Sequence, residues 1–419
     1  MPLTFRLTVA TLSFVLLFIA TARANDPFLL NDYALQLLQK GENEKALEQF
    51  QKAYALYPYN ETLRHNLAEV YTVVGDRQMS SGRYEEAAAS FDNARELLPE
   101  VQRYRVLRGI ALYSARQYDA AIVELEKARG YGGDTADLLH FLGRAHYDNG
   151  NLPMAIQLWE KALELDSKRL DVSSLVEKAR REQAVEGRMD RGYSSRFTVS
   201  FDGDRRGKLA DQVLDVLETA YNRVGSDLSH FPTARVPVIL YTRTDYRSVT
   251  NGPDWSGGLY DGKIRLPIGG VDDMNEVLRS ILFHEYTHVV VHDLTSGNCP
   301  VWLNEGLAEL QGRRELPHPL TELSRAVKNG TILPLSTLES PFTALPARDA
   351  ALAYQQSYSL VRYIINIYGW HKVKEILVSL GSGKRISTAV AAAMADYGVD
   401  YPALYQEWLT AVKKEFAGS

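Results

Sequence analysis

His284-Glu285-Tyr286-Thr287-His288 is the segment whose residue types and spacing most directly imply chemistry. It lies inside Glu276 to His292, where apolar residues recur with helical periodicity, and residues four apart share a helix face. Both imidazoles can therefore converge on one ion, while Glu285 can reach a water on that ion. This is the H-E-x-x-H pattern, in which two histidines bind zinc and the glutamate acts as general base. The chain has one cysteine, Cys299, and 9 histidines. An internal disulfide and a cysteine-built zinc finger are thereby excluded, and a metal must be held by His and carboxylate.

A zinc site needs a third protein ligand. The metzincin spacing would place Gly at 291 and His at 294, but the chain has Val291 and Leu294. His292 sits two turns from His284, about 12 Å along the axis, too far to join the same ion. Further on, Val301-Trp302-Leu303-Asn304-Glu305-Gly306-Leu307-Ala308-Glu309 reads as another helix. Glu305 follows His288 by 17 residues, room for a loop with Gly297 and Pro300 and a returning helix.

The pair His284-Glu285-x-x-His288 and Trp302-Leu303-Asn304-Glu305-Gly306-x-Ala308 resembles the gluzincin metallopeptidases. It is close to their aminopeptidase branch and to bacterial tetratricopeptide proteins with a peptidase MA-like domain. The resemblance covers about 197–418. It implies zinc held by His284, His288 and Glu305, with Glu285 as the base. It also implies a tyrosine that hydrogen-bonds the developing oxyanion: Tyr354, with Tyr358 four residues on as the alternative. Glu309, on the same face as Glu305, would accept the free N–H of a ligand histidine. The aminopeptidase branch also carries a Gly-x-Met-Glu-Asn segment whose acid binds the substrate amino terminus. This chain has Leu259-Tyr260-Asp261-Gly262-Lys263-Ile264-Arg265-Leu266 upstream of the helix and no such Glu, which favours an endopeptidase. Ile264, Arg265 and Leu266 suit an edge strand that pairs with an extended substrate backbone. The rival expectation is a non-catalytic repeat scaffold whose peptidase-like domain only binds a partner.

The elements that must position these residues read as strands first and helices after, an α+β domain over 193–419. Phe197 to Phe201 and Val236 to Tyr241 read as strands, and Lys208 to Arg223 as an amphipathic helix. Gly258 to Pro267 reads as a hairpin or paired strands around Asp261-Gly262, with Pro267 pointing to a sheet edge. Residues 166–192 are charged and helix-prone, a capping helix and linker.

Ahead of them, Gly75, Gly109 and Gly143 lie 34 residues apart, as do Ala87, Ala121 and Ala155, and Phe91, Leu125 and Trp159. The spacing resembles tetratricopeptide repeats, helix pairs that stack into a solenoid. An earlier unit around Ala34, Ala46 and Phe50 carries about seven extra residues near Glu61 to Leu67. The fold expected is thus an all-α tetratricopeptide solenoid, 25–165, followed by an α+β gluzincin-like metallopeptidase domain. The repeats would bind a substrate protein or partner on their concave face. Residues 1–24 read as a secretory signal peptide: Arg6, an apolar run from Leu7 to Ala20, then Ala22-Arg23-Ala24. That implies export, to a bacterial periplasm or the medium, with membrane attachment if the segment stays uncleaved. Lys+Arg 47 against Asp+Glu 52 leaves a net charge of -5 and no basic footprint for nucleic acid.

Overall fold

The computed structural model describes residues 26–203, 207–250 and 258–416; the expected leader lies outside them. The chain divides into two compact units between Val176 and Glu177.

The first unit is all-α. Its helices pair as α1 (Pro27–Gln39) with α2 (Asn43–Leu56), α3 (Glu61–Ser80) with α4 (Tyr84–Leu97), α5 (Gln102–Ser114) with α6 (Tyr118–Gly132), and α7 (Ala136–Asp148) with α8 (Leu152–Leu165). The 34-residue period has a steric cause. A Cβ on Gly75 would lie 2.6 Å from Phe91, one on Gly109 2.6 Å from Leu125, and one on Gly143 2.4 Å from Trp159. Each pair closes because the first helix has no side chain where the second presents a large one. The Trp159 indole also donates to the His140 carbonyl at 3.0 Å. The insertion falls where the spacing places it: α3 has 20 residues against 13 in α5 and α7, lengthened at its N-terminal end.

Helix α9 (Leu170–Glu186) supplies Val172 and Val176 to the first unit, and its last ten residues belong to the second. The expected cap over 166–192 is therefore shorter than read. The chain leaves the helix after Glu186 and forms β1 (Asp190–Tyr193), which pairs antiparallel with β2 (Phe197–Phe201). This strand escaped the sequence reading because Asp190-Arg191-Gly192-Tyr193 is mostly exposed and carries no apolar alternation.

Among the described residues the second unit holds one five-stranded sheet, in the order β1-β2-β3-β5-β4. Helix α10 (Gly207–Leu228) crosses from β2 to β3 (Val236–Tyr241), and α11 (Arg243–Thr250) lies between β3 and the final pair, β4 (Leu259–Tyr260) and β5 (Ile264–Pro267). The β2–β3 and β3–β5 pairs are parallel, and β4–β5 is an antiparallel hairpin turning at Gly262 with φ 99°. The edge strand is thus β4. Strand β5, with Ile264, Arg265 and Leu266, is interior, and all three side chains are buried. This corrects the expectation that those three offer a free edge to substrate. Pro267 fits an interior strand because β4 is only two residues long and pairs with Arg265 and Ile264. At Pro267 no strand on that side requires an N–H.

Helices follow: α12 (Glu276–Thr295), α13 (Val301–Glu315), α14 (Thr321–Asn329), the single turn α15 (Leu335–Leu338), α16 (Ala347–Tyr368), α17 (Trp370–Gly381), α18 (Ile386–Ala393) and α19 (Tyr401–Phe416). Their core includes Leu282, Phe283, Tyr286, Val289 and Val290 of α12, Trp302 and Leu303 of α13, and Val361 and Ile364 of α16. Among the described residues no helix is long and apolar enough to cross a membrane.

Candidate metal centre

Helix α12 begins at Asn275, whose side chain accepts from the Leu278 amide at 2.9 Å. The helix ends where Ser296 and Gly297 take left-handed conformations, φ 51° and 76°. The turn back to α13 is held by Asn298, which donates to the carbonyls of Leu380 and Lys384 at 2.9 and 3.0 Å. Helix α13 then returns beside α12, and two glycines set how close it comes. A Cβ on Gly312 would lie 3.2 Å from the Ser280 carbonyl of α12; one on Gly306 would lie 2.4 Å from the Ser357 carbonyl of α16. The residue after Glu305 therefore has to be the smallest one.

This packing brings His284, His288 and Glu305 together, with one ligand atom from each inside 4.8 Å of the others. Glu305 Oε2 lies 3.5 Å from the Nε2 of both His284 and His288. The far nitrogens face acceptors. His288 Nδ1–H donates to Asn304 Oδ1 at 3.0 Å, and His284 Nδ1 lies 3.5 Å from Glu309 Oε1. Glu309 in turn accepts from Arg313 Nε at 2.8 Å. Both imidazoles are thereby set to carry their proton on Nδ1 and to present a lone pair from Nε2. Asn304 was quoted in the motif but given no role; the need of the second histidine for its own acceptor was the signal that could have found it.

The site is rich in buried negative charge. Burial disfavours an imidazolium at His284, but the close Glu305 carboxylate and the charges of Glu285 and Glu309 outweigh it and raise its pKa to about 9. At Glu305 burial raises the pKa, and the two histidines overcome that and lower it. At Glu285 burial dominates and the pKa is raised. Glu305 Oε2 and Glu285 Oε2 are buried without a hydrogen-bond partner. A cation between the three donors would satisfy the first of these. Two imidazole nitrogens and one carboxylate oxygen form a donor set that suits zinc.

Glu285 stands beside this cluster without belonging to it. Gly258 lies directly against its carboxylate, where a Cβ would come within 2.5 Å of Oε1. The cleft in front has two lobes. One, about 250 Å³, is lined by Leu259, Tyr260, His292, Cys299 and Thr343; the other, about 470 Å³, by Val277, Ile281, Leu316, His318 and Ala351. Gly258, His284, Glu285 and Tyr354 border both. Tyr354 is a wall of the cleft, its ring edge-on to Phe342 at 5.2 Å, and burial raises its pKa far above the ordinary phenol value. Tyr358 borders neither lobe and instead lies beneath the guanidinium of Arg313, 4.8 Å away.

Residues 231–414 match the profile of the Peptidase MA superfamily, and residues 75–135 and 136–169 match tetratricopeptide repeat profiles. The chain joins tetratricopeptide repeats to a Peptidase MA superfamily domain. A curated relative, the Hsp70-Hsp90 organizing protein of Triticum aestivum, is 34% identical over 100 residues, which is 24% of this chain and 17% of that one. The chain thus spans about a sixth of that relative's length. Among solved structures, a thermophilic tetratricopeptide protein from Thermus thermophilus is 23% identical with a TM-score of 0.26, covering 42% of this chain and 96% of its own. The TPR2AB domain of yeast Sti1, solved in complex with pHSP90, is 13% identical with a TM-score of 0.27, covering 75% and 98%. The Peptidase MA superfamily match spans all three candidate ligands, Glu285 and Tyr354, but begins after α9, β1 and β2.

Proposed function

We propose that the chain is an exported zinc metallopeptidase, an endopeptidase whose repeats recruit a protein or peptide. The observation that carries this reading is the convergence of His284, His288 and Glu305 within 4.8 Å, beside a buried carboxylate that lies outside the ligand set. A structural metal site has no use for Glu285, which costs desolvation and ligates nothing.

His284, His288 and Glu305 would hold the ion. Zinc supplies Lewis acidity to such a site. Glu285, with its raised pKa and unpartnered Oε2, takes a proton from the attacking water and passes it to the leaving amine. The Tyr354 hydroxyl stays protonated at any physiological pH, so it is a constant donor to the oxygen of the carbonyl under attack. Asn304 and Glu309 keep the two imidazoles turned toward the ion.

Endopeptidase action is supported by the two lobes, both bordered by Glu285, which leave room for an extended chain. The leader-like Leu7 to Ala20 run with Ala22-Arg23-Ala24 supports export. The tetratricopeptide matches support a protein or peptide partner.

The test is Glu285→Gln in the full chain. Zinc content and melting temperature are expected to stay at wild-type values, while peptide hydrolysis falls by about 10²–10⁴-fold. His284→Ala, in contrast, is expected to empty the site of zinc. Unchanged cleavage by Glu285→Gln would reject the catalytic assignment and leave the scaffold reading standing.

A further inference from the structure

The second unit contains a buried ionic cluster that the peptidase machinery does not use. Lys263 Nζ donates to Glu182 Oε2 at 2.9 Å and to Glu186 Oε2 at 3.3 Å. Arg265 donates to Glu182 Oε1 at 2.8 Å, to Glu186 Oε1 at 2.9 Å, to Asp261 Oδ1 at 2.9 Å and to the Tyr241 hydroxyl at 2.6 Å. Tyr241 in turn donates to Glu186. Glu182 is 0% exposed, Arg265 1% and Lys263 3%. Nearer the surface, Lys178 donates to Asp261 Oδ2 at 2.7 Å. Among the described residues, three acids and three bases meet here.

The cluster joins two pieces of chain about 80 residues apart: the end of α9 and the β4–β5 hairpin. Strand β5, together with Lys263 just before it, has two different faces. Ile264 and Leu266 enter the main core, while Lys263 and Arg265 point the other way, to the acids of α9. The hairpin's other strand is the wall of the cleft. Gly258 abuts the Glu285 carboxylate, and Leu259 and Tyr260 line the lobe beside it. Strand β4 is the sheet edge and only two residues long, so its own ladder holds it weakly. Tyr260 packs edge-on against His292 of α12, and the hairpin turn, tied at Asp261, Lys263 and Arg265, adds a second anchor that sets the distance from Glu285.

We propose that Glu182 and Glu186 are positioning residues for the substrate groove, fixing the Gly258–Pro267 hairpin against Glu285 through Lys263 and Arg265. The inference rests on the metallopeptidase reading for the word substrate. Both acids lie outside the 231–414 match, so the groove is completed by residues upstream of the matched domain. Removing one acid lets the edge strand drift from the catalytic carboxylate while the metal ligands, on α12 and α13, stay in place.

The experiment uses the full chain with Glu186→Gln, and with Lys178→Met as a milder variant should the first fail to fold. Amide hydrogen exchange is read at 259–266 and, as internal control, at 276–295. Zinc content and steady-state cleavage of an extended peptide are read alongside. Exchange at 259–266 is expected to quicken by about tenfold for Glu186→Gln with α12 unaltered, reporting local opening of the hairpin. KM is expected to rise by about tenfold with kcat within about twofold, and Glu186→Asp to recover part of the loss. Zinc content is expected to stay constant. Unchanged exchange at 259–266, or a parallel loss of protection in α12, overturns the inference. A wild type that cleaves no peptide sinks the peptidase reading instead, and the exchange comparison still decides whether α9 holds the hairpin.

Discussion

Each candidate ligand histidine has its own acceptor, one neutral and one charged, and that asymmetry yields a prediction. Asn304 lies 3.0 Å from His288, whereas Glu309 stands 3.5 Å from His284 and is itself tied to Arg313. Loss of an outer partner of a metal-bound histidine typically costs 10–100-fold in metal affinity. Asn304→Ala is therefore expected to weaken zinc binding by about that factor, measured by chelator competition, with the melting temperature of the metal-free chain nearly unchanged. Asn304→Asp should retain most of the affinity because it keeps an acceptor at the same place. Two variants with the same affinity as wild type would show that the 3.0 Å contact does not orient His288. The histidines and Glu285 were legible in sequence because the spacing of four is local helix geometry. Glu305 needed a resemblance, and Asn304 needed the return of α13 beside α12, which no local pattern encodes.

Between elements, close backbone approach governs the site. Exchanging a glycine for alanine inside a helix gains about 0.5–1 kcal/mol of propensity where space allows. At Gly306 it does not, because the new methyl would sit 2.4 Å from the Ser357 carbonyl, a backbone atom that cannot rotate aside. Over-packing of this kind costs about 1–3 kcal/mol, which outweighs the propensity gain. Gly306→Ala is thus expected to lower the melting temperature and, since Glu305 precedes it, to loosen zinc. Gly130→Ala is the matched control: it lies in α6 with nothing within 4 Å, and is expected to be neutral or stabilising. If both substitutions behave alike in thermal denaturation, steric contact with α16 is not what keeps residue 306 small. The repeats were the most legible elements, since their period is written as a glycine opposite a large side chain. Strand pairing was the least. Lys263-Ile264-Arg265-Leu266 alternates as an exposed edge would, yet its charged face meets Glu182 and Glu186 and is buried. Alternation reports that two faces differ, not that one of them is wet.

For the whole molecule, the question is where the second unit begins. The sequence places the start at residue 193, where strand patterns replace helical ones, and the Peptidase MA superfamily match begins later still, at 231. The compact unit begins at Glu177, because the last turns of α9 carry the counter-charges of Lys263 and Arg265 and bury Val185 against Ile239 and Tyr241. A chain starting at Tyr193 would keep both cations but lose Glu182 and Glu186; of the acids seen around them among the described residues, Asp261 stays. Stripping a buried charge of its partner costs about 3–5 kcal/mol, a large share of the roughly 5–15 kcal/mol that holds a domain together. A fragment 177–419 is therefore expected to unfold in one cooperative transition. The fragment 193–419 is expected to melt well below it or to aggregate. Lost apolar cover and lost counter-charge can be told apart by adding Lys263→Met and Arg265→Leu to the shorter fragment. Neutral side chains of similar volume no longer need the acids, so much of the stability should return if the charges are the cause. Differential scanning calorimetry of the three fragments decides it. Equal melting temperatures for 177–419 and 193–419 would reject the α9 acids as part of the second unit.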